Sequence, residues 1–163
     1  MSIDRKKFLV SETSISATRV IDAPAEDIFE VLSLPAKHPQ VDGSGTVVSG
    51  TDQRIQQTGD VFVMNMHAEA MGGDYKMENH VTGFDPNKLI AWKPCQEGTP
   101  IEHNGWEWMY ELQPQGPDST QVTLTYAWSD VHPKLLKKVS FPAFPESVLE
   151  ESLENLAAAV SDK

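Results

Sequence analysis

Two stretches of the chain alternate between apolar and polar positions. Trp106, Trp108, Tyr110 and Leu112 share one phase, with Glu107 and Glu111 in the other. Val122, Leu124, Tyr126 and Trp128 do the same against Thr123, Thr125 and Ser129. A period of two residues belongs to a strand with one covered face and one wet face. Gln115-Gly116-Pro117-Asp118 joins the two strands as a hairpin loop. The segment from Tyr75 to Phe84 alternates as well, with Tyr75, Met77, Asn79 and Val81 opposite Lys76, Glu78, His80 and Thr82. Further strands are expected at Ser14 to Ile21, Thr46 to Val48, Val61 to Met66 (apolar on both faces) and Leu89 to Trp92. Gly72-Gly73-Asp74 and Asp85-Pro86-Asn87 have turn composition.

The period changes at the far end of the chain. Leu149, Leu153, Leu156 and Val160 are spaced four, three and four apart, which makes one helical stripe, extended upstream by Phe144 and Val148. This helix is expected from about Pro145 to Val160. After the first strand, Ala23-Pro24-Ala25-Glu26-Asp27 opens a shorter helix, with Asp22 expected as its N-cap and Ile28, Phe29, Val31 and Leu32 as its apolar face. Pro35 and Pro39 leave room for one short second helix.

A strand, one or two helices, about six strands and a long helix cannot build a parallel sheet. The fold class expected is α+β: one domain over residues 1–163, a curved antiparallel sheet wrapped around the terminal helix. That helix is expected to be the only element on the covered face. One helix often fails to fill such a concavity, which leaves a cavity.

Several local motifs resemble the START-like superfamily (SRPBCC), which includes Bet v 1-type proteins and polyketide cyclase/dehydrase-type members. They are Ala23-Pro24-Ala25-Glu26-Asp27-Ile28-Phe29, the run from Val81-Thr82-Gly83-Phe84 through Asp85-Pro86-Asn87-Lys88 to Leu89-Ile90-Ala91-Trp92, Trp108-Met109-Tyr110-Glu111-Leu112, and Thr120 to Ser129. The resemblance covers Ser14 to Val160 and implies the helix-grip fold. It does not imply one function, because the superfamily holds lipid carriers, cyclases and hormone receptors.

Composition narrows the partners. At 163 residues, with 39% hydrophobic and 23% charged side chains, the chain is long enough for its own core without metal or disulfide. Its 24 acidic against 13 basic residues give a net charge of -11, which repels phosphate backbones, so nucleic acid is not an expected partner. The single cysteine, Cys95, excludes an internal disulfide and reads as a small buried hydrophobe. Phe8-Leu9-Val10 is too short for a signal-peptide core and no run approaches a membrane span, so the expectation is a cytoplasmic protein without stable membrane insertion. Oligomeric state is not legible.

Candidate chemistry is sparse. His67-Ala68-Glu69 with Pro94-Cys95 begins a zinc-deaminase pattern, but Gly98 stands where the second cysteine belongs. The five histidines, at 38, 67, 80, 103 and 132, show no ligand spacing, and no metal or cofactor is expected. Glu102, His103 and Glu107 cluster near a strand start, and His67 lies near a strand end; either group could reach a cavity mouth, or belong to solvated loops. Glu107 and Glu111 are expected on the outer face. The basic segment Lys134 to Lys138 could gate a cavity, attract an acidic ligand or touch a membrane while loading, or be a solvated turn.

The most informative feature is the set of aromatic and methionine side chains in the inward phases. Met64, Met66, Met77, Asn79, Trp92, Trp108, Tyr110 and Tyr126, closed by Phe144 and Val148, form the candidate ligand-binding wall. Methionine suits surfaces that repack around a ligand, buried Trp and Tyr need partners for their polar tips, and Asn79 is a polar point among them. The expectation is binding or carrying of a small hydrophobic or aromatic ligand in an internal cavity. A cyclase/aromatase-like enzyme in the same cavity is the alternative, and a solidly packed interaction protein is a third reading.

Overall fold

The computed structural model describes residues 14–69, 72–96, 106–128 and 146–161, with the side chain of Gln96 left out. Among the described residues seven strands form one antiparallel sheet: β1 (Ser14–Ile21), β2 (Val47–Gly50), β3 (Val61–Ala68), β4 (Gly73–Asp85), β5 (Leu89–Gln96), β6 (Glu107–Gly116) and β7 (Ser119–Ala127). Their spatial order is β1-β7-β6-β5-β4-β3-β2. The strands from β2 to β7 run as a meander, and β1 closes against β7 with Ile15 opposite Tyr126 and Ala17 opposite Leu124. The sheet curls into a half-barrel around the terminal helix α3 (Glu146–Ser161), which is the helix-grip fold.

The first strand and the second lie at opposite edges, so the chain must cross the open side of the sheet between them. It does so through α1 (Ala25–Leu32), a 3-10 turn at Pro35–Lys37 and the single turn α2 (His38–Val41). The covered face therefore has more than the terminal helix on it. α3 packs against β1, β7, α1 and α2, while the 3-10 turn lies against β2 and β3. Ile28, Phe29, Val31 and Leu32 of α1 are all buried, as their spacing predicts. Asp22 does not cap the helix: Pro24 is the N-cap residue, with no side-chain cap bond, and its carbonyl accepts the N–H groups of Asp27 and Ile28. Asp22 is two residues too early and exposed. The start of α1 is instead tied to the sheet by Thr120, whose buried hydroxyl donates to the Ala23 carbonyl at 2.8 Å.

The alternating strands take the expected phases. Thr120, Val122, Leu124, Tyr126 and Trp128 are buried, as are Tyr110 and Leu112 on the neighbouring strand. Leu149, Leu153, Leu156 and Val160 bury the helical stripe against them. In β3 the apparently two-faced run separates: Phe62 and Met64 are buried, whereas Val61 is 49% exposed. Cys95 is a buried free thiol.

Two glycines allow the helices to approach the sheet and each other. A Cβ on Gly50 would lie 2.3 Å from the Pro35 carbonyl oxygen and 2.8 Å from the Met64 sulfur. A Cβ on Gly43, just after α2, would lie 2.5 Å from the Val148 oxygen on α3. Among the described residues no helix is long and apolar enough to cross a membrane.

Candidate functional site

The inward phases of five adjacent strands bring most of the candidate wall together. Met64 pairs with Met77, and Asn79 with Phe62, across β3 and β4. Val81 faces Trp92, Trp92 faces Trp108, and Trp108 faces Tyr126 on the strands that follow. Rings in this row touch. Trp92 and Tyr110 stack with centroids 6.0 Å apart, and Trp108 and Tyr126 stack at 4.4 Å. Such pairs add about 0.5–1.5 kcal/mol beyond the area they bury, and they hold the wall in one conformation.

The wall is not uniformly closed. Met64, Met77, Asn79, Tyr110 and Tyr126 are buried, with Tyr126 only 1% exposed behind Trp108. Met66, Trp92, Trp106 and Trp108 face the same side, pack against the core and yet keep part of their surface open. Val148 on α3 is likewise half-buried. Phe144, Glu102, His103 and the Lys134 to Lys138 segment lie outside the described residues.

A polar residue absent from the expected wall is built into it. His38, in α2, lays its ring on Trp92 (centroids 5.3 Å apart, 26° between planes) and meets Phe62 edge-on at 5.6 Å. Its Nε2 is 2.7 Å from the Leu32 carbonyl oxygen. A carbonyl offers only lone pairs, so Nε2 carries the hydrogen. Burial pushes the imidazole pKa below its ordinary value, outweighing the Leu32 contact and the Asp42 charge, which act the other way. The ring is therefore neutral at pH 7, with Nδ1 as an acceptor. No periodicity marks His38, because a one-turn helix with a proline as its second residue carries no pattern.

A second polar group joins the wall to the helices. The Tyr110 hydroxyl hydrogen-bonds with Ser152 of α3, and Ser152 Oγ also accepts the Gly43 N–H at 2.8 Å. Burial first, and the Asp42 charge second, raise the Tyr110 pKa well above the ordinary tyrosine range, with Ser152 opposing. Tyr110 is thus a protonated phenol under any physiological condition: it can hold a hydrogen bond but not act as a base. Asp42 is itself held by Ser44, through N–H and hydroxyl, and by the Val47 N–H. Asn79 donates from Nδ2 to the Phe62 and Met77 carbonyls, both at 3.3 Å.

The other candidate groups fall elsewhere. His67 is exposed, in the outward phase of β3, and pairs with Asp74 at 2.7 Å, so it does not reach the concave side. Glu107 accepts a hydrogen bond from Thr82, and Glu111 is exposed, as expected for the outer face. Among the described residues no three His, Cys, Asp or Glu side chains gather where a metal could be held.

With this geometry in place, comparison with known proteins gives a consistent picture. The model of the family described as "Polyketide cyclase / dehydrase and lipid transport" matches residues 12–161. The uncharacterized protein Rv0088 of Mycobacterium tuberculosis is 29% identical over 113 residues, covering 69% of this chain and 46% of that protein. The chain thus spans about half the length of the curated relative it matches. A START superfamily protein from Mycobacterium smegmatis superposes with a TM-score of 0.62 at 19% identity, covering 92% of this chain and 98% of that one. The Zhui aromatase/cyclase from Streptomyces sp. R1128 does so with a TM-score of 0.58 at 15% identity, covering 91% and 93%. At these identities the solved structures show the shared fold.

Proposed function

The chain belongs to the polyketide cyclase / dehydrase and lipid transport family, and from that premise we propose that it binds a small hydrophobic or aromatic molecule between the curled sheet and its helices. The observation that carries this reading is the state of Trp92 and Trp108. They are cross-strand partners on the inward face, yet both keep open surface while Ile90 and Tyr110, their neighbours on the same strands, are buried. Aromatic surface left open on a concave wall gains free energy when an apolar molecule covers it, at about 25 cal/mol per Å². Met64, Met66 and Met77 on the adjoining strands give that wall side chains able to adjust to the shape of the occupant. Asn79 adds a polar point, Tyr110 and Tyr126 back the tryptophans, and Val148 of α3 is assigned to the closing side.

A titration with apolar aromatic compounds tests the proposal. Tryptophan emission should change saturably, and Trp108→Phe should reduce the change. A linear, unsaturable response would contradict it.

The same site supports a second reading, turnover of the ligand by cyclase-type chemistry, on one observation. His38 is a neutral imidazole stacked on Trp92, and that is the protonation state a general base requires. A His38→Gln protein that still bound its ligand but had lost turnover would favour the enzyme over the carrier.

A further inference from the structure

The polar atoms of the wall are unequal in kind. Every fully closed-off side-chain nitrogen or oxygen among the described residues has a hydrogen-bond partner. His38 and Asn79 are only 7% and 4% exposed, and each has used its donor end. The His38 Nε2–H is taken by the Leu32 carbonyl, and the Asn79 amide hydrogens go to the carbonyls of Phe62 and Met77. Because all three partners are carbonyl oxygens, which only accept, the imidazole tautomer and the amide orientation are both fixed by chemistry. What remains is His38 Nδ1 and Asn79 Oδ1, two acceptors with no hydrogen bond among the described residues. Since no closed-off atom is unpaired, both stay open at least to water.

The two residues converge on one region. His38 touches Phe62 edge-on and lies flat on Trp92, while Asn79 bonds the Phe62 backbone. Asn79 faces Pro94 and Val81 faces Trp92, which makes Asn79 the diagonal neighbour of Trp92 on the inward side.

We propose that the ligand is an apolar, flat molecule carrying a hydrogen-bond donor such as a hydroxyl, and that His38 Nδ1 and Asn79 Oδ1 are the acceptors that select for it. This rests on the ligand-binding reading above and deepens it. A buried acceptor left facing an apolar molecule without a donor loses its water and regains nothing, so the site discriminates against such molecules. The neutral state of His38 keeps Nδ1 an acceptor, and the stacking on Trp92 holds it in place.

Calorimetric titration with 2-naphthol and with its methyl ether separates the two layers of the claim. The wild-type protein should bind the naphthol about tenfold more tightly than the ether, the value of one well-made hydrogen bond. His38→Phe should bring the ratio of the two affinities close to one, whatever it does to each singly; Asn79→Leu should lower the ratio in the same direction. Equal binding of both probes would overturn the donor inference and leave the apolar site standing. Binding of neither would overturn the site reading and the inference with it. Should either variant fail to fold, 15N-histidine spectra of the wild-type protein decide the matter. The His38 Nδ1 resonance should move on adding naphthol and not on adding the ether; an unmoved resonance would overturn the proposal.

Discussion

The Ser152 hydroxyl accepts the backbone N–H of Gly43 at 2.8 Å, across 109 residues of sequence. That contact fixes α2 against α3, and with it the position of His38 at the other end of α2. The approach is close because Gly43 has no Cβ: one there would lie 2.5 Å from the Val148 oxygen and 2.9 Å from the Ser152 nitrogen. Gly43→Ala must push the two helices apart, and a loss of about 1–3 kcal/mol is expected from urea unfolding. Ser152→Ala strips the half-buried Gly43 N–H and the buried Tyr110 hydroxyl of their shared partner and should cost about 1–3 kcal/mol. A Gly43→Ala protein as stable as the wild type would mean the helices are not held this closely.

The terminal helix should behave as the centre of the core. Leu153 is 1% exposed and sits in a stripe with Leu149 and Leu156, so Leu153→Ala should cost about 2–5 kcal/mol. The exposed neighbour Glu154, replaced by Ala, should change stability by less than about 0.5 kcal/mol. Similar losses from the two substitutions would place the stripe wrongly.

His38 makes stability depend on acidity, with a definite sign. Its folded pKa lies below the ordinary value of 6.5, because burial outweighs the contributions of Leu32 and Asp42. On acidification the unfolded chain takes up the proton first, so this group's contribution is present above about pH 6.5, falls below it and levels off under the folded pKa. Removing the group by His38→Phe should therefore narrow the stability gap between wild type and variant as pH drops from about 7 to about 5. A gap that widened on acidification would mean that His38 is charged in the folded protein.

Much of the architecture is readable from the chain because strands and helices declare themselves by period. Trp108, Tyr110, Tyr126 and Leu124 sit where alternation puts them, and Leu149 to Val160 where a helical repeat does. The open side of the sheet was harder to read. α2 is one turn long, and His38 is positioned by Leu32, Phe62 and Trp92, contacts that only the assembled fold brings together. Ser152 interrupts an apolar helix face with a hydroxyl whose partners, Gly43 and Tyr110, are distant in sequence, so it looks like a surface residue until the fold is known. The start of α1 misled for a local reason: Asp22 has a capping side chain, but Pro24 already sets the helix entry.

The central claim is that an apolar molecule sits against Trp92 and Trp108. Nitrogen-labelled tryptophan resolves the four indole N–H resonances, of residues 92, 106, 108 and 128, in one spectrum. Adding 2-methoxynaphthalene should shift the Trp92 and Trp108 signals along saturable curves that give one common dissociation constant. Trp128, 6% exposed beyond Tyr126, should move least. Saturable shifts confined to Trp128, or no saturable shift at any of the four, would contradict the account.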